Sequence, residues 1–101
     1  MNILLVCSAG MSTSLLVNKM KKESEARGNQ DDIFACSVDE LESYLDKYEV
    51  ILLGPQMKYK AKAIGELVTA KNKKFAVIDS LSYGMVDGRK VLDQALSLGK
   101  Q

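Results

Sequence analysis

The sequence predicts an α/β fold, a single open sheet of four parallel strands with helices on both faces. Three observations carry this. Four short apolar runs, 3–6, 33–38, 50–53 and 75–78, alternate with stretches of helical periodicity. The runs are nearly continuous instead of alternating with polar residues, as expected of strands covered on both faces. The length of 101 residues allows one hydrophobic core and no second, so residues 1–101 are expected to form one domain.

Each element has a local reason. After the first run, Leu15, Leu16, Val17 and Met20 make the apolar stripe of a helix that ends near Arg27-Gly28, where glycine suits a left-handed C-cap. Ser37 with Glu40 resembles a capping box that opens a short second helix carrying Leu41, Tyr44 and Leu45. The third helix follows Gly54-Pro55-Gln56-Met57 and buries Ile64, Leu67 and Val68, leaving Lys58, Lys60 and Lys62 in solvent. The last helix runs from Val86 or Asp87 to Leu98 and buries Val91, Leu92, Ala95 and Leu96. No linker, low-complexity tract or internal repeat interrupts this pattern.

Composition removes several classes of function. The net charge is +1, and the Lys-rich stretch 71–74 reads as a helix end entering a strand, so no nucleic-acid surface is indicated. No apolar run reaches the roughly 18 residues of a membrane span, and Met1 leads directly into a strand, which predicts a cytoplasmic chain. With no His, neither a His-based metal site nor a Ser-His or Cys-His relay can be built within the chain, and no metal or cofactor is expected. The two cysteines, Cys7 and Cys36, are expected to be free thiols.

Cys7 is the residue that points to chemistry. It ends the first strand and is followed by Ser8-Ala9-Gly10-Met11-Ser12-Thr13-Ser14, a small, hydroxyl-rich stretch that opens a helix. Backbone N–H groups of such a loop converge on one centre, and the helix start adds unpaired donors and the positive end of its dipole. The dipole is worth only about 0.3–1 kcal/mol at an exposed site. Loop N–H groups and the hydroxyls of Ser8, Ser12, Thr13 or Ser14 must therefore supply most of the stabilisation of an anion on sulfur. In a doubly wound sheet this strand end borders the ligand crevice, which also receives the segments 54–59 and 79–84.

The loop is incomplete as a hydrolase. A cysteine phosphatase with this type of loop carries Cys-x5-Arg, and the corresponding position here is Thr13. Residues 7–18 contain neither a cation nor an acid able to protonate a leaving group or activate water. The loop is suited to holding a phosphocysteine. Two other classes stay open on these residues: a low-molecular-weight phosphatase or arsenate-reductase-like enzyme, and a non-catalytic thiol or anion sensor.

The segment Cys7-Ser-Ala-Gly-Met-Ser-Thr-Ser-Leu-Leu-Val17, with Leu-Leu-Gly-Pro-Gln56 and Ile-Asp-Ser-Leu-Ser-Tyr-Gly84 downstream, resembles the IIB component of the lactose/cellobiose/chitobiose class of phosphotransferase-system sugar transporters. The resemblance spans nearly the whole chain. It implies strand order 2-1-3-4, similar to low-molecular-weight tyrosine phosphatases. It also implies a relay in which a IIA phosphohistidine donates to Cys7, and Cys7 donates to a sugar held by the membrane IIC component, with the chain peripherally associated through IIC.

On this reading Cys7 is the nucleophile, and Ser8, Ala9, Gly10, Met11, Ser12, Thr13, Ser14 and Tyr83 surround the phosphoryl group. Met11, Met57, Tyr59 and Tyr83 are the expected partner contacts. Plainer roles compete: Met11 can fold inward, Tyr83 can be a packed ring with a wet hydroxyl, and one of Ser12, Thr13 and Ser14 is a helix cap. Cys36 reads as a core residue whose approach to Cys7 would permit a disulfide on oxidation. Asp79 reads as a turn cap, since an anion aimed at phosphate would be unfavourable.

Overall fold

The structure, a computed structural model, describes residues 1–7 and 11–100. Four strands, β1 (Asn2–Cys7), β2 (Asp32–Ser37), β3 (Val50–Leu53) and β4 (Lys74–Val77), form one parallel sheet in the order β2-β1-β3-β4. The expected architecture and strand order are thus present. Successive residues of the two central strands face opposite layers, so each must be apolar throughout. Ile3, Leu5, Val50 and Leu52 enter one core, and Leu4, Val6, Ile51 and Leu53 the other.

The first core is covered by α1 (Met11–Ala26) and α5 (Gly88–Gly99), through Leu16, Val17, Met20, Val91, Leu92 and Ala95. Leu15 is half exposed at 50 %, although it belongs to the apolar cluster in the sequence. At 100° per residue, Leu15, Leu16 and Val17 sweep too wide an arc for one interface, and the side that packs is set by Leu16, Val17 and Met20. The helix ends as expected: Gly28 adopts φ 75° and its N–H donates to Glu25 O at 3.0 Å.

The second core is covered by α2 (Leu41–Tyr44), flanked by 3-10 turns, and α3 (Ala61–Ala70), through Leu41, Leu45, Ile64 and Val68. Ser37 and Glu40 form the expected capping box: Ser37 N–H donates to Glu40 Oε1 at 3.2 Å, and Ser37 Oγ donates to the same oxygen. A 3-10 segment, Pro55–Lys60, precedes α3, and α4 (Ser80–Gly84) replaces the loop expected there. Leu67 and Leu96, expected in the core, are half-buried at its margin.

Placing α1 and α5 on one face and α2 and α3 on the other puts the topological switch between β1 and β3. Cys7 ends β1 at that point.

Candidate functional site

Three strand ends build the site. Beside β1, the Gly54 N–H donates to Val6 O at 2.8 Å, so the chain leaving β3 turns immediately next to Cys7. Beside β3, the Ile78 N–H continues the ladder to Leu53 O at 2.8 Å and delivers Asp79 to the same edge. The Cys7 side chain is 3 % exposed, and its Sγ lies 3.9 Å from Cys36 O, the reach of a weak S–H donor.

Cys36 itself faces away. In the parallel register Cys36 pairs with Val6, and Cys7 pairs with Ser37. Cys36 therefore shares the face of Leu4 and Val6, whereas Cys7, one residue further along, points to the opposite layer. Neither cysteine forms a disulfide, and their side chains leave opposite faces of the sheet. Burial, followed by the nearby Glu40 carboxylate and Cys7, pushes the Cys36 thiol up to about 12.

Thr13, where the Cys-x5-Arg loop of a cysteine phosphatase would carry arginine, is 1 % exposed in the first turn of α1. Its Oγ1 stands 3.0 Å from Tyr83 Oη, and Gln56 Nε2 donates to that same phenolic oxygen at 3.1 Å. Tyr83 packs its ring against the α1/α5 core while its hydroxyl meets segments that follow β1 and β3. One phenol thus joins all three segments at the edge. The structure brings Cys7, Thr13 and Tyr83 into this edge, and adds Gln56.

Asp79 is occupied as a cap. Its Oδ2 accepts from Ser82 N at 3.0 Å and from Ser82 Oγ at 2.9 Å, holding α4 against the end of β4. These bonds hold its carboxyl below the usual aspartate range, an ionised helix cap instead of a proton donor. Gln94 reinforces the same corner, donating from Nε2 to Val77 O at 2.9 Å and accepting from Asp79 N at 3.3 Å.

The other expected residues separate. Ser14 is exposed and lines a cleft with Val17, Asn18, Phe34 and Ala35 beside β2. Tyr59 is 76 % exposed, with Lys60 Nζ 6.0 Å from its ring centre. Met57 is a correction: only 5 % exposed, it packs in the second core, so its side chain is not on a docking surface. A single 3-10 turn after Pro55 rotates it inward, where an unbranched thioether fills the space beneath α3. Ser8, Ala9 and Gly10, and the side chains of Met11 and Ser12, lie outside the described residues.

Two kinds of residue escaped the sequence reading. Gln56 appears there only as the end of a Gly-Pro-Gln string, with no signal that it bonds Tyr83. Leu81 and Met85, 67 % and 65 % exposed, place apolar side chains on α4 and its C-cap, where five residues are too few for periodicity to read. Among the described residues, no three His, Cys, Asp or Glu side chains are grouped to hold a metal ion, and no helix is long and apolar enough to cross a membrane.

The model of the family described as the lactose/cellobiose-specific IIB subunit of the phosphotransferase system (PTS) matches residues 2–94. This chain belongs to that IIB family. It is 43 % identical over 96 residues to the oligo-β-mannoside-specific EIIB component of Bacillus subtilis (strain 168), covering 95 % of this chain and 93 % of that one. The cellobiose-specific EIIB component of Lactococcus lactis subsp. lactis (strain IL1403) is 39 % identical over 101 residues, covering 95 % and 94 %.

The solution structure of a cellobiose-specific IIB component from Borrelia burgdorferi superimposes with a TM-score of 0.84 at 36 % identity, covering 99 % of this IIB chain and 92 % of the other. The fold is the low-molecular-weight-phosphatase-like fold of IIB domains. As a IIB component the chain is a phosphotransferase component of a sugar-specific PTS, in a class that transfers phosphate to sugar.

Proposed function

We propose that the chain is a phosphoryl carrier that works through Cys7. The thiolate attacks the phosphorus of a phosphohistidine on IIA; the N–P bond breaks, an S–P bond forms, and the imidazole leaves and recovers its proton. A hydroxyl of a sugar bound by IIC then attacks the same phosphorus. The S–P bond breaks, the O–P bond forms, the hydroxyl proton passes to a base in the partner, and the thiolate returns. The chain meets the membrane peripherally, from the cytoplasmic side, through IIC.

The observation that carries this reading is the position of Cys7, the last residue of a central strand at the topological switch with α1 beginning at Met11. Phosphoryl transfer requires little covalent apparatus from the protein beyond positioning and neutralising the equatorial oxygens. Loop N–H groups and hydroxyls of 8–14 serve that purpose, with Tyr83 beside them. Thr13 in place of arginine, the lack of any histidine and the use of Asp79 as a cap all favour storage over hydrolysis. Met11 and Tyr59 are partner contacts on this reading.

The sugar is a β-linked disaccharide of the cellobiose, chitobiose or lactose type, selected by IIC. Relatives named for oligo-β-mannoside and for cellobiose share this domain, which agrees with selection elsewhere. Incubation with phosphorylated IIA followed by intact-mass and peptide analysis tests the relay. One labile phosphoryl group is expected on Cys7 and none on Cys7→Ser. Uptake by the serine variant at the same rate, or none by the wild type, would refute it.

A further inference from the structure

We infer that Gln56 is a positioning residue for the Cys7 site, and that Gly54 is glycine in order to seat it. The inference rests on the phosphoryl-carrier reading. Its first support is the bridge: Gln56 Nε2 donates to Tyr83 Oη at 3.1 Å, and the same oxygen meets Thr13 Oγ1 at 3.0 Å. Because an amide nitrogen can only donate, Gln56 fixes one acceptor site of the phenol and thereby its rotation about the C–O bond. The hydroxyl so oriented holds Thr13, which is buried at the start of α1, six residues after the nucleophile.

The second support is independent of those bonds. Gly54 has φ −60° and ψ 140°, an extended conformation open to any residue, so its backbone does not call for glycine. A methyl group there, however, would stand 2.7 Å from Gln56 Oε1 and 3.1 Å from its Cδ. The Gln56 side chain folds back over the bare Cα of Gly54 to reach Tyr83. Pro55 sets the turn between them at the start of the 3-10 segment, and Met57 N–H closes it onto Gly54 O at 2.9 Å.

The atoms a Gly54 methyl would strike belong to the far end of a flexible side chain, so Gly54→Ala displaces Gln56 without opposing the fold. Gly54→Ala and Gln56→Ala are therefore expected to have the same effect. Gln56→Met separates bonding from packing, since it fills the same space and donates nothing.

The experiment measures the rate of phosphoryl uptake by Cys7 as a function of phosphorylated IIA concentration, with thermal melting of each variant alongside. Gln56→Ala, Gln56→Met and Gly54→Ala are each expected to lower the maximal rate about three- to tenfold, the worth of one modest hydrogen bond. The donor concentration giving half-maximal rate stays as in the wild type, and the melting temperature falls by a few degrees at most, as for loss of one exposed hydrogen bond. Gln56→Ala combined with Tyr83→Phe is no slower than Tyr83→Phe alone, because both break one bridge.

A partner-free readout accompanies it: alkylation of Cys7 by iodoacetamide, expected to accelerate by a similar factor as the three segments loosen. Wild-type rates in Gln56→Met or Gly54→Ala, or losses that multiply in the double variant, would overturn the inference. Wild-type protein that takes up no phosphoryl group would refute the carrier reading instead. Alkylation alone then decides on the bridge, and unchanged rates in all three variants would count against it.

Discussion

Gly88→Ala separates packing from helix propensity by the sign of its effect. Gly88 is buried as the first residue of α5, where that helix crosses α1. A methyl group there would lie 2.7 Å from both the carbonyl carbon and the Cβ of Lys19, and 2.8 Å from the backbone nitrogen of Met20. These are mainly backbone atoms in the middle of a helix and cannot rotate away, so α1 and α5 must separate. Overpacking of this kind costs about 1–3 kcal/mol, and contact with backbone belongs near the upper end.

Propensity acts the other way, favouring alanine over glycine by up to about 1 kcal/mol in a helix interior and less at its first residue. The net expectation is a loss of about 2 kcal/mol, or roughly 10 °C in melting temperature for a domain of this size. Thermal unfolding followed by circular dichroism measures it, with Gly84→Ala as the control. Among the described residues, nothing lies within 4 Å of a methyl group at Gly84, at the end of α4, so that variant should melt at or slightly above the wild type. A Gly88→Ala protein that melted with Gly84→Ala would refute the close approach of α1 and α5.

Two predictions concern pH. The Cys36 thiol is pushed up to about 12 from an ordinary 9.0, chiefly by burial, so unfolding releases its proton more readily. The stability held by the neutral thiol is complete below pH 9 and lost as pH rises toward 12, and Cys36→Ala should flatten part of the alkaline decline in urea midpoint. Tyr48, also raised by burial, keeps the remainder, so a decline unaltered by Cys36→Ala would count against the assignment. Asp79 behaves oppositely: the Ser82 bonds lower it from 3.8, so its contribution is present above that value and lost as pH falls through the lower folded one. Asp79→Asn, which retains a cap acceptor, should show a shallower acid decline below about pH 4, and an unchanged slope would place the acid sensitivity elsewhere.

The parts of the fold legible in the sequence are those set by local pattern under heavy burial. Runs such as Ile3-Leu4-Leu5-Val6 must be apolar throughout because each residue enters one of two cores, and the Gly28 cap needs only its own left-handed conformation. The misreadings fall where geometry over a single turn decides. Leu15 and Met57 are apolar neighbours of apolar residues, and whether each points inward depends on a helical phase that composition does not fix. Gln56 was invisible for a different reason. Its partner is 27 residues away, and Tyr83 reaches 70 residues back to Thr13, so neither bond leaves a local trace.

The two cysteines show why position in the sheet decides chemistry here. Cys7 and Cys36 occupy adjacent strands one register step apart, and both are buried. Cys36 sits inside its strand and faces the layer of Leu4 and Val6, where ionisation is opposed by burial and by Glu40. Cys7 has moved one residue further, past the last strand pairing to β3, which ends at Val6, to the point where α1 and the turns after β3 and β4 converge. One residue of travel along a strand reverses the face and replaces a sealed apolar layer with the edge where Thr13, Tyr83 and Gln56 meet. On the proposed carrier reading, a thiol serves as a phosphoryl acceptor only where a partner can reach it, and burial inside a strand denies that to Cys36. A cysteine moved from position 7 to position 6 would leave the residue count unchanged and would be expected to behave as Cys36 does.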